Sequence, residues 1–462
     1  MKLKIITNYI VVAFLALQLI SCDRKEDADP LFDAPAAERV TARAKELDAA
    51  LKASPEGWKA VYFTDKTQLG GFTHLFKFQD GGNVVMASDF NDASITRDTS
   101  RYSIDLRTTV SLVFTTKNRI HLLSESDNFP TAALRGKGYK GDFQFLYYGQ
   151  ENGQLIFRTN RSFEELRFVK ATAEEWTNLL AANRLMIPNV IGIPSPTRPR
   201  SMFRILETND GTTILKYNFD FAPQLTRFAT YTSGSNEIKN MGIAYTPTGI
   251  TVSPAVEVGG QKLTDFIYDN DTGNFTAIGT NGVSASIKYS VIPAPTDDYK
   301  DLLPGKPFTD FGYRSELFTA ASNSPLFRSL EQQVNMTSGR TIRSIDFTFN
   351  DNNYSGTSYI QYVLSGGFVI RNTVNVVEDP VNKKIKLESI KWNREFANPG
   401  GTTLPNVLGP DIARPAYLAN LDNQLITPAG LYVKKESFRI VYGNTIYTFS
   451  NANGFRITTY KY

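Results

Sequence analysis

Apolar and polar residues alternate along most of this chain, which is the period of strands and not of helices. The clearest case follows Gly70-Gly71. Phe72, His74, Phe76 and Phe78 share one face, Asp80-Gly81-Gly82-Asn83 supplies a turn, and Val84-Val85-Met86 begins the return, which predicts a β-hairpin. Trp58, Ala60 and Tyr62 alternate in the same way, and further short strands are predicted at 102–106, 110–115, 119–123, 142–148 and 155–159. After a stretch at 187–200 that holds four prolines, the period returns at 202–207, 214–220, 241–245, 250–253 and 266–269. The last part adds strands at 345–349, 358–364, 367–376, 385–392, 437–442, 445–450 and 455–460. Within it the alternation of Ile385 and Leu387 shifts phase to Ile390 and Trp392, the mark of a β-bulge.

Helical spacing is confined to a few places. Val40, Ala44, Leu47 and Leu51 form one apolar stripe, with Asp33 as a cap, Pro35 in the first turn and Ser54-Pro55-Glu56-Gly57 as a stop. A second helix is predicted at 173–184, carrying Trp176, Leu179 and Leu180, and a third face is made by Leu326, Phe327, Leu330 and Val334. Leu404, Val407, Leu408, Ile412, Leu418 and Leu421 predict one or two helices interrupted at Pro410 and Pro415. The expected fold class is therefore mainly β, with antiparallel meander sheets, sandwich- or barrel-like, and a few helices.

A chain of 462 residues exceeds one ordinary core, and its two proline-bearing breaks suggest two or three domains. The expected division is an N-terminal helix plus β domain at 33–186, a β meander and linker at 187–298, and a C-terminal α+β domain at 299–462. The break at 292–298 is expected to be a protease-sensitive hinge.

The first residues carry an address. Met1-Lys2-Leu3-Lys4 is basic, and the apolar run at 10–20 is shorter than the roughly 18 residues a membrane-spanning helix needs, so 1–21 reads as a secretory signal peptide and 22–32 as a tether. Leu19-Ile20-Ser21-Cys22 resembles the bacterial lipobox, which implies lipidation (palmitate among the acyl groups) at Cys22. Asp23-Arg24-Lys25-Glu26-Asp27 looks like the lysine-plus-two-acids export signal of Bacteroidetes surface lipoproteins, with Lys25, Glu26 and Asp27 as its residues. The expected location is the outer membrane, lipid-anchored and facing the cell exterior.

Composition narrows the chemistry. Fifty Lys and Arg against 46 Asp and Glu are near balance, and no basic block marks a nucleic-acid partner. The single cysteine excludes an intrachain disulfide, and two histidines without a His-Glu-x-x-His pattern argue against a zinc site. No metal ligand, cofactor or catalytic residue is expected. Glu151, Glu164 and Glu165 read as surface acids, while Asp269-Asn270-Asp271-Thr272-Gly273 and Gly136-Lys137-Gly138 read as turns. Tyr139, Tyr354 and Trp392 are the candidate ligand-binding residues, since loop aromatics stack on sugars or clamp peptides. The competing reading makes them partly buried loop anchors.

Pro55-Glu56-Gly57-Trp58-Lys59-Ala60-Val61-Tyr62, Gly70-Gly71-Phe72, Phe76-Lys77-Phe78 and Gly138-Tyr139-Lys140-Gly141-Asp142-Phe143-Gln144-Phe145 carry a resemblance. The chain is similar, from about Leu31 to its end, to Bacteroidetes surface lipoproteins with a domain of unknown function. These are often encoded beside SusC/SusD-type uptake pairs and a zinc metallohydrolase lipoprotein. The resemblance implies capture or processing of a nutrient at the outer surface, with the membrane, a SusC/SusD-type complex and a glycan or peptide ligand as partners. It brings no catalytic residues. The leading expectation is a non-enzymatic binding or accessory protein of nutrient uptake. The alternatives are a glycan or peptide hydrolase with a carboxylate pair, and a purely structural interaction module.

Overall fold

Antiparallel pairing gathers the chain into three successive sheets. A computed structural model describes residues 35–106, 109–199, 201–307, 309–396, 406–438 and 443–461. The helix α1 (Ala36–Lys52) begins after Pro35 and follows the expected stripe. Leu47 and Leu51 are fully buried, and Val40 and Ala44 lie half-buried against the same core. Full burial of each leucine stabilises by about 1.5–3 kcal/mol.

The first sheet is an up-and-down meander of β1 (Trp58–Phe63), β2 (Gly71–Gln79), β3 (Asn83–Ser88), β4 (Asp98–Asp105), β5 (Ser111–Phe114), β6 (Gln144–Glu151), β7 (Gln154–Thr159) and β8 (Glu165–Lys170). It closes into a barrel where Trp58 pairs with Lys170 and Lys59 with Val169. The two-residue period turns Trp58, Tyr62, Phe72, Phe76 and Phe78 inward, and rings fill the space: Phe76 stacks on Phe168 at 4.7 Å. The predicted strand at 119–123 is a 3-10 turn instead. Asn118 caps it by accepting from the Ile120 amide at 3.1 Å, and the residues it buries, Ile120 and Leu123, are three apart.

The predicted helix at 173–184 is a π turn, Glu175–Leu179, running into α2 (Leu180–Leu185). Leu180 packs with Leu75 and Ala87 on the outer wall of the first barrel. The stretch at 187–200 is not bare chain, since it starts with α3 (Ile187–Ile191).

A second closed barrel follows: β9 (Phe203–Asp210), β10 (Ile214–Phe221), β11 (Phe228–Thr232), β12 (Ile238–Thr246), β13 (Gly249–Val258), β14 (Gln261–Tyr268), β15 (Phe275–Ile278) and β16 (Val283–Ser290). The last strand pairs back to the first along its length, from Val283 with Asp210 to Ser290 with Phe203. The two barrels meet backbone to backbone beside Gly70. A Cβ there would stand 2.0 Å from the Arg227 carbonyl oxygen and 2.4 Å from that of Ile243, so only glycine permits the approach.

The third sheet has nine strands, in sequence β17 (Thr309–Arg314), β18 (Ile342–Asp351), β19 (Thr357–Leu364), β20 (Phe368–Asp379), β21 (Lys384–Phe396), β22 (Val407–Ile412), β23 (Tyr432–Lys435), β24 (Ile446–Ser450) and β25 (Arg456–Lys461). Spatially β22 lies at one edge and β23 at the other, and β17 pairs with β25. Two hydrogen bonds between the Ile385 and Leu431 backbones, at 3.1 and 2.7 Å, join the flanks and roll the sheet around its core. The helices α4 (Pro325–Ser338) and α5 (Ala419–Leu425) contribute Phe327, Val334, Leu421 and Leu425 to that core. Ser324 caps α4, accepting from the Phe327 amide at 3.1 Å. The phase shift in β21 is a bulge: Thr373 faces Lys391 and Val374 faces Ser389, which leaves Ile390 over.

Residues 407–412, expected to be helical, form β22 on the sheet edge. Pro410 lacks an N–H and is tolerated there because an edge strand needs only one of its sides paired. Leu404 lies outside the described residues. The segment 292–298, read as a hinge, is held fast. The Asn218 amide donates to the Ala294 oxygen at 3.0 Å and accepts from the Ala294 nitrogen at 2.9 Å, and Ala294 and Thr296 are buried. The fold is mainly antiparallel β with few helices, as its periodicity predicts, and barrel-like in its first two sheets.

Candidate ligand-binding cleft

The outward-facing positions of β10 alternate with its core residues. Asn218 and Asp220 therefore point away from the second barrel, and both hold neighbouring structure. Asp220 accepts from Lys434 Nζ at 2.8 Å, reaching across to the end of β23. The same ammonium donates to Glu436 Oε2 at 2.9 Å. Glu436 Oε1 accepts from Thr448 Oγ1 and from Arg456 Nη2, each at 2.6 Å. Arg456 then donates to the Ser201 carbonyl at 3.0 Å and lies 3.7 Å over the Phe203 ring. This chain of charges stitches the second barrel to the third sheet. Burial alone pushes the Glu436 carboxyl up, but Lys434 and Arg456 outweigh it and hold it down at about 2. Burial lowers the Lys434 ammonium, yet Glu436 and Asp220 leave it raised overall.

Beside the stitch is a cavity of about 480 Å³. Phe203, Phe219, Phe221 and Phe438 give it apolar walls, and Arg204 lines it too. Arg204 is unlike its charged neighbours. Its Nη1 donates to the Val190 oxygen and the Tyr289 hydroxyl, both at 3.4 Å, while Nε and Nη2 have no partner among the described residues. The guanidinium sits 4.5 Å over the Tyr289 ring, and burial lowers its basicity.

The residues singled out by sequence lie elsewhere. Cys22, Lys25, Glu26 and Asp27 fall outside the described residues. Tyr139 is half-buried in the first barrel, edge-on to Phe72 at 5.5 Å and to Phe90 at 5.1 Å. Trp392 is 6% exposed and stacks on Tyr362 at 6.0 Å, so core packing takes up the ring face that a ligand platform would need. Tyr354 ends the short turn Asn352–Tyr354, and its side chain is outside the described residues. Neither Tyr139 nor Trp392 lines the cleft.

Among the described residues no three His, Cys, Asp or Glu side chains are grouped to hold a metal. His74 stands on the inner face of β2 with neither ring nitrogen partnered among the described residues. Burial first, then Arg227, holds the imidazole down at about 3, so it is a neutral filler. His121, expected on a strand, is in the 3-10 turn and stacks on Phe143 at 5.0 Å. Asp269 folds back on its own turn, accepting from the Asp271 amide at 2.9 Å and the Thr272 hydroxyl at 2.7 Å. Glu164 pairs with Lys66, and Glu151 and Glu165 pair with Arg167, on the surface. Arg204, Asp220, Lys434 and Glu436 are missed by sequence because each is a single charge in or beside a strand, with no local pattern to mark it.

Two closed meander barrels followed by a rolled nine-stranded sheet, with a mixed apolar and charged cleft at the second seam, define a multi-sheet antiparallel β protein. The chain belongs to the family described as "Domain of unknown function (DUF4302)", which matches residues 28–270 and so takes in α1, the first barrel and the second barrel through β14. No curated protein matches the chain. Among solved structures, the DNA polymerase sliding clamp from Bacillus subtilis aligns with 92% of this chain and 97% of its own at 10% identity. Its TM-score is 0.16, at which the alignment carries no argument.

Proposed function

We propose that this chain is a lipid-anchored surface protein that binds a nutrient ligand as an accessory component of an outer-membrane uptake system. The setting rests on the resemblance to Bacteroidetes surface lipoproteins encoded beside SusC/SusD-type pairs and on the Leu19–Cys22 and Lys25–Asp27 patterns. The observation that carries the binding reading is the cleft, an apolar cavity of about 480 Å³ with fixed charges on one side, which is the common form of a small-molecule site. Glycoside hydrolysis would need one of two acids protonated. Glu436 is held ionised by Lys434 and Arg456, so it suits a binding wall and not a proton donor.

The test is a glycan and peptide binding screen on the detergent-solubilised full chain, repeated with Ala321→Trp, which places an indole in the cavity mouth. Ligands found with the wild type should bind at least tenfold more weakly to the variant. Undiminished binding by the variant would put the site elsewhere, and a screen without binders would remove the reading. For the anchor, Cys22→Ala should abolish incorporation of labelled palmitate and release the protein from membranes. Alanine at Lys25, Glu26 and Asp27 together should keep the lipid but protect the protein from external protease on whole cells.

A further inference from the structure

The cavity's charges do not balance. Arg204, Lys434 and Arg456 stand against Asp220 and Glu436, three cations to two anions. Lys434 and Arg456 are both tied to carboxylates, so the surplus positive charge is Arg204's own. Its leading electrostatic neighbours are the tyrosines 289 and 268 and the like-charged Arg198, and the two hydrogen bonds it makes among the described residues go to a backbone carbonyl and a hydroxyl, not to a carboxylate. A guanidinium out of water with two unpartnered nitrogens is costly to hold, and ring faces compensate it less than an anion does. Both bonds it makes are at 3.4 Å, the weak end of the range, so an anion in the cavity would have only weak bonds to displace in drawing the guanidinium towards it.

We infer that the cleft takes a small monocarboxylate with an apolar body, its carboxylate forked onto Arg204 and its body against Phe203, Phe219, Phe221 and Phe438. This rests on the binding reading above and names its ligand class. One negative charge neutralises the site, the planar fork of arginine matches a carboxylate in two parallel hydrogen bonds, and the phenylalanine walls exclude a fully hydrated sugar acid as the best fit. Two sources share this chemistry: a peptide C-terminus ending in an apolar residue, and a fatty acid.

Isothermal titration of the full chain with N-acetyl-L-phenylalanine and with decanoate, each beside its neutral counterpart (N-acetyl-L-phenylalaninamide and decanol), tests the inference without any variant. At least one acid should bind tenfold or more tightly than its neutral partner, and whichever acid is preferred assigns the source. Arg204→Met should abolish that preference while melting at or above the wild-type temperature, because it removes an uncompensated cation and keeps its volume. Arg204→Lys should restore part of it. Equal binding of acid and neutral probe, or a preference that survives in Arg204→Met, overturns the inference. If neutral glycans or peptides bind in the screen and these acids do not, the ligand class is wrong and the binding reading stands. If nothing binds at all, both fall.

Discussion

The seam between the two barrels turns on one ion pair, and removing its cation has a calculable cost. Asp89 is fully buried, accepting from the Thr73 amide at 3.0 Å, the Asn183 side chain at 3.1 Å and Arg227 Nη2 at 3.0 Å. Arg227 comes from the second barrel. It also donates to the Gly71 and Asp89 carbonyls at 2.7 and 2.8 Å, and lies 4.4 Å over Phe72 and 4.8 Å over Tyr245. Arg227→Met keeps most of the volume but leaves a buried carboxylate without its counter-charge, which costs about 3–5 kcal/mol. The Gly71 carbonyl also loses its Arg227 donor, at roughly 1 kcal/mol, while the Asp89 carbonyl keeps Arg184 Nη1 at 3.2 Å, so the total stays within about that range. Urea unfolding reports it through fluorescence, and Trp392→Phe leaves Trp58 and Trp176 as reporters of the first barrel and its helix. With a slope of roughly 1–3 kcal/mol/M, the first transition should move down by about 1 M or more. Asp89→Asn in the same chain removes the stranded charge and should recover part of the loss, a coupling of about 0.5–3 kcal/mol. A shift of Arg227→Met below about 0.3 M, or strictly additive single effects, would show that the pair does not hold the seam.

Two further outcomes are expected. Burial pushes the Glu331 carboxyl up from 4.5 to about 7, against the lowering effect of its 2.8 Å hydrogen bond from Tyr313. The folded state thus holds this proton more tightly than the unfolded chain, so the stability it lends is complete below pH 4.5 and lost as pH rises through 7. Thermal melts should fall by the equivalent of at most about 3 kcal/mol across that window in the wild type, and Glu331→Gln should flatten the profile; an unchanged slope would exclude Glu331 as its source. For the clasp on 292–298, proteinase K should leave this segment intact in the native chain and cut it in Asn218→Ala, as read by intact-mass spectrometry; equal cutting in both would return it to the status of a hinge.

How far the fold was legible follows from which faces each strand presents. In β2 the inner face repeats Phe72, Phe76 and Phe78, and a two-residue period finds it. β16 carries the same period, with Val283, Ala285 and Ile287 alternating against Ser284, Ser286 and Lys288, and is equally legible although it is absent from the predicted strands. β18 is buried on nearly all its positions, since helices and sheet cover both sides, so its alternation is partial. Residues 119–123 and 407–412 fail for local reasons: an asparagine cap in the first, and in the second a proline that reads as a helix interruption but serves equally well at a sheet edge.

The cleft is a different case, because nothing local encodes it. On β23 and the residue after it, Lys434 and Glu436 look like the solvent face of an edge strand, the usual defence against sheet extension. They are buried where the second barrel lays Asp220, more than two hundred residues earlier, against Lys434 and where Arg456 closes on Glu436. Arg204 shares the inner face of β9 with Leu206 at the end of the second barrel, and its isolation exists only once α3 and Tyr289 have closed around it. Aromatic loops were the natural guess from sequence, yet Trp392 and Tyr139 are spent on packing because a large ring near a core gains most by entering it. A site made by docking two sheets draws on charges whose partners are remote in the chain. Periodicity reports on one strand at a time, and so the unpaired cation that marks this cleft is visible only in the assembled fold.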